Sequence, residues 1–162
     1  MKPRFVVVQT LVDYDLSVED AVAAGAYDRD LADREHVNSV NFPSAEGEVG
    51  HGKQSVEITL VQLILDNPFS ATSWLEGIST DQVLQEFREM GYRSATTIEL
   101  LALGSEHPDL QRIAGIMAPG ARWEEEHECL CLIGTTRERL LGSRTTDVNL
   151  TPDWWFAAVA VK

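Results

Sequence analysis

The chain reads as a single α+β domain, and three observations carry that reading. Capping signals mark short helices in the first two thirds of the sequence. Two long β-branched runs, residues 5–12 and 56–63, read as strands, and the last third breaks into short β-like runs separated by glycine, proline and threonine. The 162 residues, 44% of them hydrophobic and 24% charged, fit one globular domain with its own core rather than a disordered chain.

Residues 5–12 form a near-continuous apolar run, which predicts a central strand buried on both faces or covered by a helix. Ser17 stands before the segment 18–24, with Glu19 and Asp20 in its first turn and Gly25 after it, so a short capped helix follows. From Asp28 to Lys53 the chain is polar and without period, and we read a long loop and a candidate binding or regulatory surface. Val56, Ile58 and Leu60 alternate with Glu57 and Thr59 and then run into Val61 and Leu63, predicting a second long strand that becomes fully buried.

Asp66, Asn67 and Pro68 break that strand. Ser79 and Gln82 have capping-box spacing, Val83, Leu84 and Phe87 face inward, and Gly91 ends the helix 79–89. Segments 5–25 and 56–91 therefore share an order of strand, acidic turn and capped helix, as a degenerate duplication would, with 68–77 inserted in the second. The most complete local signal follows. Thr96 and Glu99 form a second capping box, Ile98, Leu100 and Leu101 supply an apolar face, and Gly104 is expected to close the helix in the left-handed conformation.

Pro108 opens another short helix over 107–112. Runs 128–133, 138–141, 147–150 and 154–161 then predict an antiparallel sheet whose last strand, rich in tryptophan and alanine, pairs in the interior.

Charge narrows the partners. The 13 basic and 26 acidic residues give a net charge of -13, with no basic run to neutralise a phosphate backbone, so nucleic acid is not an expected partner. No segment reaches the roughly 18 apolar residues that span a bilayer. The apolar run after Lys2 and Arg4 is too short for a signal peptide and is interrupted by Gln9, so we expect a cytoplasmic protein. Cys129 and Cys131 stand two apart on one strand face, a poor geometry for a mutual disulfide, and are expected as buried thiols.

No catalytic fingerprint is present. There is no Gly-x-Ser-x-Gly elbow, and the segment 50–53, Gly-His-Gly-Lys, lacks the phosphate-loop pattern and a preceding strand. His127, Cys129 and Cys131 share a strand face and are the nearest thing to a metal-ligand set, but they lack the spacing of zinc motifs. The acidic triplet 124–126 beside Trp123 reads as a solvated turn. Trp154 and Trp155 point to opposite sides of their strand, one into the core and one toward a groove, so they join His51 and Trp123 as the candidate binding residues. No cofactor is expected.

Residues 91–101, 107–112, 116–123 and 155–162 resemble an uncharacterised family of bacterial hypothetical proteins, in a Gly-x-Arg-Pro-Ala-Thr helix start, a His-Pro-x-Leu-Gln-Arg step and a tryptophan-bearing closing strand, and the likeness extends to the N-terminal segment 5–25, so that it covers most of the chain. That resemblance implies no activity. Residues 91–162 also resemble, more faintly, C-type-lectin-like domains of the formylglycine-generating and phage-receptor kind, with Ser94 in place of the proline expected in the helix start and no calcium-ligand cluster. The leading expectation is a non-enzymatic binding or protein-interaction module for a protein or small molecule, with a homodimer among its forms. The alternatives are a small metal-assisted or hydrolytic enzyme using His51, His127 and nearby carboxylates, and an acidic inhibitor that imitates nucleic acid.

Overall fold

Both capping boxes form as their spacing requires. In the computed structural model, which describes residues 2–30, 36–44, 50–64, 77–147 and 149–161, a strand β1 (Lys2–Asp13) leads to helix α1 (Val18–Gly25), whose first turn is closed by the Ser17 hydroxyl. A two-residue strand β2 (Arg29–Asp30) and the long strand β3 (Lys53–Ile64) follow. Helix α2 (Thr80–Glu89) begins at the Ser79–Gln82 box, and Gly91 after it takes φ 79°. Strand β4 (Tyr92–Ser94) then feeds helix α3 (Thr97–Glu106) through the Thr96–Glu99 box. A short helix α4 (Leu110–Ile113) precedes strands β5 (Ile116–Trp123), β6 (Glu128–Gly134), β7 (Arg139–Thr145) and β8 (Trp155–Ala160).

The eight strands form one sheet in the order β1-β3-β8-β5-β6-β7-β2, with β4 beside β8. The architecture is α+β, as expected. Strand β8 is the keystone, because one of its edges pairs with β3 and the other is shared by β4 and β5. Its side chains alternate between two cores. Ala157 joins Ile58, Leu60, Leu130 and Leu132 under α1 and α3, whereas Phe156 and Ala158 join Val61, Met117, Cys129 and Cys131 on the opposite face under Val83 and Phe87 of α2. The two strand–helix units thus put their helices on opposite faces, while their strands pair with each other.

A buried cation ties the first layer together. Arg139 on β7 donates to the carbonyls of Gly25 and Gly104 and lies 5.1 Å over the Tyr27 ring. Both carbonyls belong to the C-terminal ends of helices, where the backbone dipoles concentrate negative charge. The two glycines have a role other than the expected one. Gly104 lies inside α3, which runs on to Glu106, and the left-handed residue after α1 is Ala26 at φ 46°. A Cβ at Gly25 would fall 2.2 Å from the Tyr27 ring, and one at Gly104 2.4 Å from its hydroxyl, so both positions are kept bare for Tyr27.

Four further expectations change. Strand β1 lies at the edge of the sheet, not at its centre, with Phe5, Val6, Val7 and Leu11 at 47%, 42%, 55% and 50% exposure. An apolar run reports a strand's composition but not the number of its neighbours. The 28–53 segment is not only a polar loop: Val37 and Phe42 are buried in the first core and Arg29–Asp30 pairs with β7, while residues 31–35 and 45–49 lie outside the described residues. Strand β5 was hidden by Gly115, Pro119 and Gly120, which a register irregularity between Met117 and Arg122 accommodates. The C-terminal sheet is mostly antiparallel, as expected, with β5–β8 and β2–β7 its parallel pairs, but the expected strand 147–150 gives, among its described residues, only a bridge from Leu150 to Ile78. The expected insertion at 68–77 falls outside the described residues up to 76. Among the described residues no helix is long and apolar enough to cross a membrane.

Candidate ligand-binding cleft

Strand β3 is longer than β8, and the overhang opens a cleft. Its register with β8 stops at Ile58 opposite Val159, so the end of β3 carrying Gln54, Ser55, Val56 and Glu57 pairs only with β1. The space beyond the end of β8 is a cavity of about 760 Å³, bounded by these residues, by Gln9 and Tyr14, and by Arg93, Val159 and Val161 across the gap. That volume suits a small organic molecule.

Arg93 is built into this cleft by the capping box of α3. Glu99, fully buried, accepts from Arg93 Nη1 at 2.8 Å and Nη2 at 2.7 Å, from the Tyr14 hydroxyl at 2.6 Å and from the Thr96 amide at 2.8 Å. Burial opposes ionisation of Glu99, but the hydrogen bonds from Arg93, Tyr14 and Thr96 outweigh it and hold its carboxyl below the usual range. The Glu99 hydrogen bond in turn raises the Arg93 pKa, and burial with the Glu99 bond pushes the Tyr14 phenol up, so it remains a donor.

The geometry leaves Arg93 half used. Its end-on fork is committed to Glu99, and the remaining Nη1 hydrogen goes to the Ser94 carbonyl at 3.0 Å. Nε and the outer hydrogen of Nη2 form the side-on fork of the guanidinium, which makes no hydrogen bond within geometric limits among the described residues, although the Tyr14 hydroxyl lies close enough to perturb Arg93. With 36% of its side chain exposed at the cleft wall, Arg93 presents a fixed pair of donors of the kind that takes a carboxylate or phosphate bidentately.

The residues expected from sequence are dispersed around this site. His51 is exposed in the turn before β3, next to the cleft residues Gly50 and Gln54, and its carbonyl accepts from Gln54. Trp154 and Trp155 stand at the opposite end of β8, roughly 20 Å away at the usual strand rise. Both are half-buried. Trp155 packs against the first core and Trp154 against the second, with the Arg144 guanidinium 5.9 Å over the Trp154 ring. Trp123 packs edge-on against His36 at 4.5 Å and against Phe42. The structure does not bring His51 together with the tryptophans.

His127 is exposed at φ 54° in the turn formed with the exposed acids 124–126, while Cys129 and Cys131 are fully buried. Among the described residues no group of three His, Cys, Asp or Glu side chains is placed to hold a metal ion. Burial raises the Cys129 thiol to about 11 and the Cys131 thiol to about 12. A thiol reagent is therefore expected to modify native protein about two orders of magnitude more slowly than the unfolded chain. Equal rates with and without denaturant, followed by absorbance, would contradict the burial.

A second polar cluster joins His36, Glu128 and Ser143. His36 Nε2 lies 2.9 Å from Glu128 Oε2, and the Ser143 hydroxyl donates to the same oxygen. Serine and histidine both turn to the carboxylate instead of to each other, so the cluster lacks the nucleophile–base hydrogen bond of a hydrolytic site. No family model, curated protein or solved structure matches this chain.

One clue to the cleft is local in the sequence. Arg93 stands six residues before a carboxylate already fixed by its capping role, within reach across a helix start. Tyr14 joins from 85 residues away, and no local pattern announces such a contact.

Proposed function

We propose that the protein is a non-enzymatic binding module whose ligand is a small molecule with a carboxylate or phosphate at one end and an apolar body. The observation that carries this reading is the unused side-on fork of Arg93 in the cleft. Val56, Val159 and Val161 supply the apolar wall, and Gln9, Gln54 and Ser55 the polar one. Binding is favoured over catalysis because Glu99 has both oxygens committed and its proton lost, and Tyr14 keeps its own, so neither is free for proton transfer at neutral pH.

Electrostatics sets the expected selectivity. Glu99 already balances the Arg93 charge, Glu57 lines the same cleft and the whole chain carries a net charge of -13, so bare anions should bind weakly. Benzoate and phenyl phosphate should bind more tightly than acetate and inorganic phosphate, because their rings reach the valine wall. Titration followed by the Arg93 Nε–Hε resonance is the test. Arg93→Lys, which keeps the charge but removes the fork, should weaken benzoate about tenfold or more. An Arg93 resonance unmoved by all four compounds at about 10 mM would sink the proposal.

A further inference from the structure

We infer that the outer edge of β1 pairs antiparallel with β1 of a second copy of this chain, about a two-fold axis passing through Val6. The backbone itself selects this arrangement. The Tyr14 amide donates to the Gly52 carbonyl, which continues the β1–β3 ladder on the even-numbered residues of β1. Amides and carbonyls of the odd-numbered residues therefore point away from β3, and among the described residues no strand meets them.

Two defects interrupt that outer row. Pro3 has no N–H, and the Gln9 carbonyl is already bonded to His107 Nε2 at 2.9 Å. In an antiparallel pair, opposed outward residues exchange two hydrogen bonds, each amide reaching the other's carbonyl. Placing Pro3 opposite Gln9 makes the missing donor face the occupied acceptor, while the Gln9 amide still reaches the Pro3 carbonyl. Phe5 then lies opposite Val7 and exchanges both bonds, on each side of the axis. Registers that set Gln9 against Phe5, Val7 or itself waste a donor on the occupied carbonyl. One that sets Pro3 against Val7 leaves the Val7 carbonyl unmet.

Side chains agree with this register. Phe5, Val6 and Val7 are contiguous exposed apolar residues of β1, and the axis sets Val6 against its own copy and Phe5 against Val7 of the second copy. Charge agrees as well. The chain is strongly acidic, yet exposed Lys2 and Arg4 flank the axis. The pairing carries Lys2 and Arg4 of the second copy to Thr10 and Val8, beside the C-terminal end of α3, where Glu106 and the last helical carbonyls concentrate negative charge. The contact is short for a stable interface, so we expect a reversible dimer with a dissociation constant on the order of 10 μM.

The test combines sedimentation velocity with engineered cysteines in the full chain. Wild-type protein should sediment as a concentration-dependent monomer–dimer mixture. Val6→Lys should raise the dissociation constant at least about tenfold by setting two ammonium groups face to face, while Leu11→Lys, outside the paired stretch, should leave it unchanged. Thermal unfolding of each variant reports whether it is folded. Val6→Cys stands opposite itself in a non-hydrogen-bonded pair, with Cα atoms about 4.5 Å apart, and should form an intermolecular disulfide under mild oxidation. Leu11→Cys should not. A monomer at all concentrations overturns the proposal, as does equal cross-linking of the two cysteine variants or a dimer indifferent to Val6→Lys.

Discussion

Removing residues 156–162 is expected to abolish cooperative folding. The deletion takes out most of β8, among the described residues the only strand that joins the β1–β3 pair to β5, β6 and β7, and it also releases β4. Phe156, Ala157 and Ala158 are almost completely buried, and they fill both cores from one strand. Loss of a buried phenylalanine alone costs about 3–5 kcal/mol. Losing the backbone ladders on both edges as well brings the cost into the range of the roughly 5–15 kcal/mol by which an ordinary domain is stable. The truncated chain should show no sigmoidal thermal transition by circular dichroism and should bind a hydrophobic dye. A soluble variant that unfolds cooperatively would refute this account of β8.

Glu99→Ala is expected to be the most damaging single substitution in the cleft. It leaves the Arg93 guanidinium without its counter-ion, the Tyr14 hydroxyl without its acceptor and the Thr96 amide without its cap. Breaking a buried pair by removing one partner costs about 3–5 kcal/mol, and partial exposure of Arg93 argues for the lower end. For a chain of this size that corresponds to a fall in Tm of roughly 6–12 °C. Glu99→Gln should cost less, because glutamine at the same position still closes a capping box, as Gln82 does in α2.

The acid limb of stability separates the charge from the cap. Glu99 has a lowered pKa in the folded protein, so its contribution is fully present above the unfolded value near 4.5 and is lost as pH falls through the lower folded value. Wild type should therefore lose stability faster than Glu99→Gln on acidification below about pH 5. Urea titrations at several pH values measure the difference. Parallel curves for the two proteins would mean that the Glu99 charge contributes nothing.

The helix starts are legible in the sequence because a capping box is a contact between residues three apart, and Ser79–Gln82 and Thr96–Glu99 both form it. The long strands are legible from β-branched runs, and the closing strand from its burial-seeking composition. What sequence hides is neighbourhood. Nothing in residues 5–12 distinguishes an edge from a centre, and nothing near Gly25 or Gly104 reveals that both make room for Tyr27. Arg93 is hidden for a related reason. Its importance comes from the overhang of β3 past β8, a difference in strand lengths that exists only once the sheet is assembled.

The position of β8 also bears on synthesis. It is made after every strand it joins, so a nascent chain must hold β3, β4 and β5 apart with two incomplete apolar faces until residue 160 clears the ribosomal tunnel. Completion of the sheet is then a late, long-range event linking residues about a hundred positions apart. The interval before that closure is when chaperones have the most to shield.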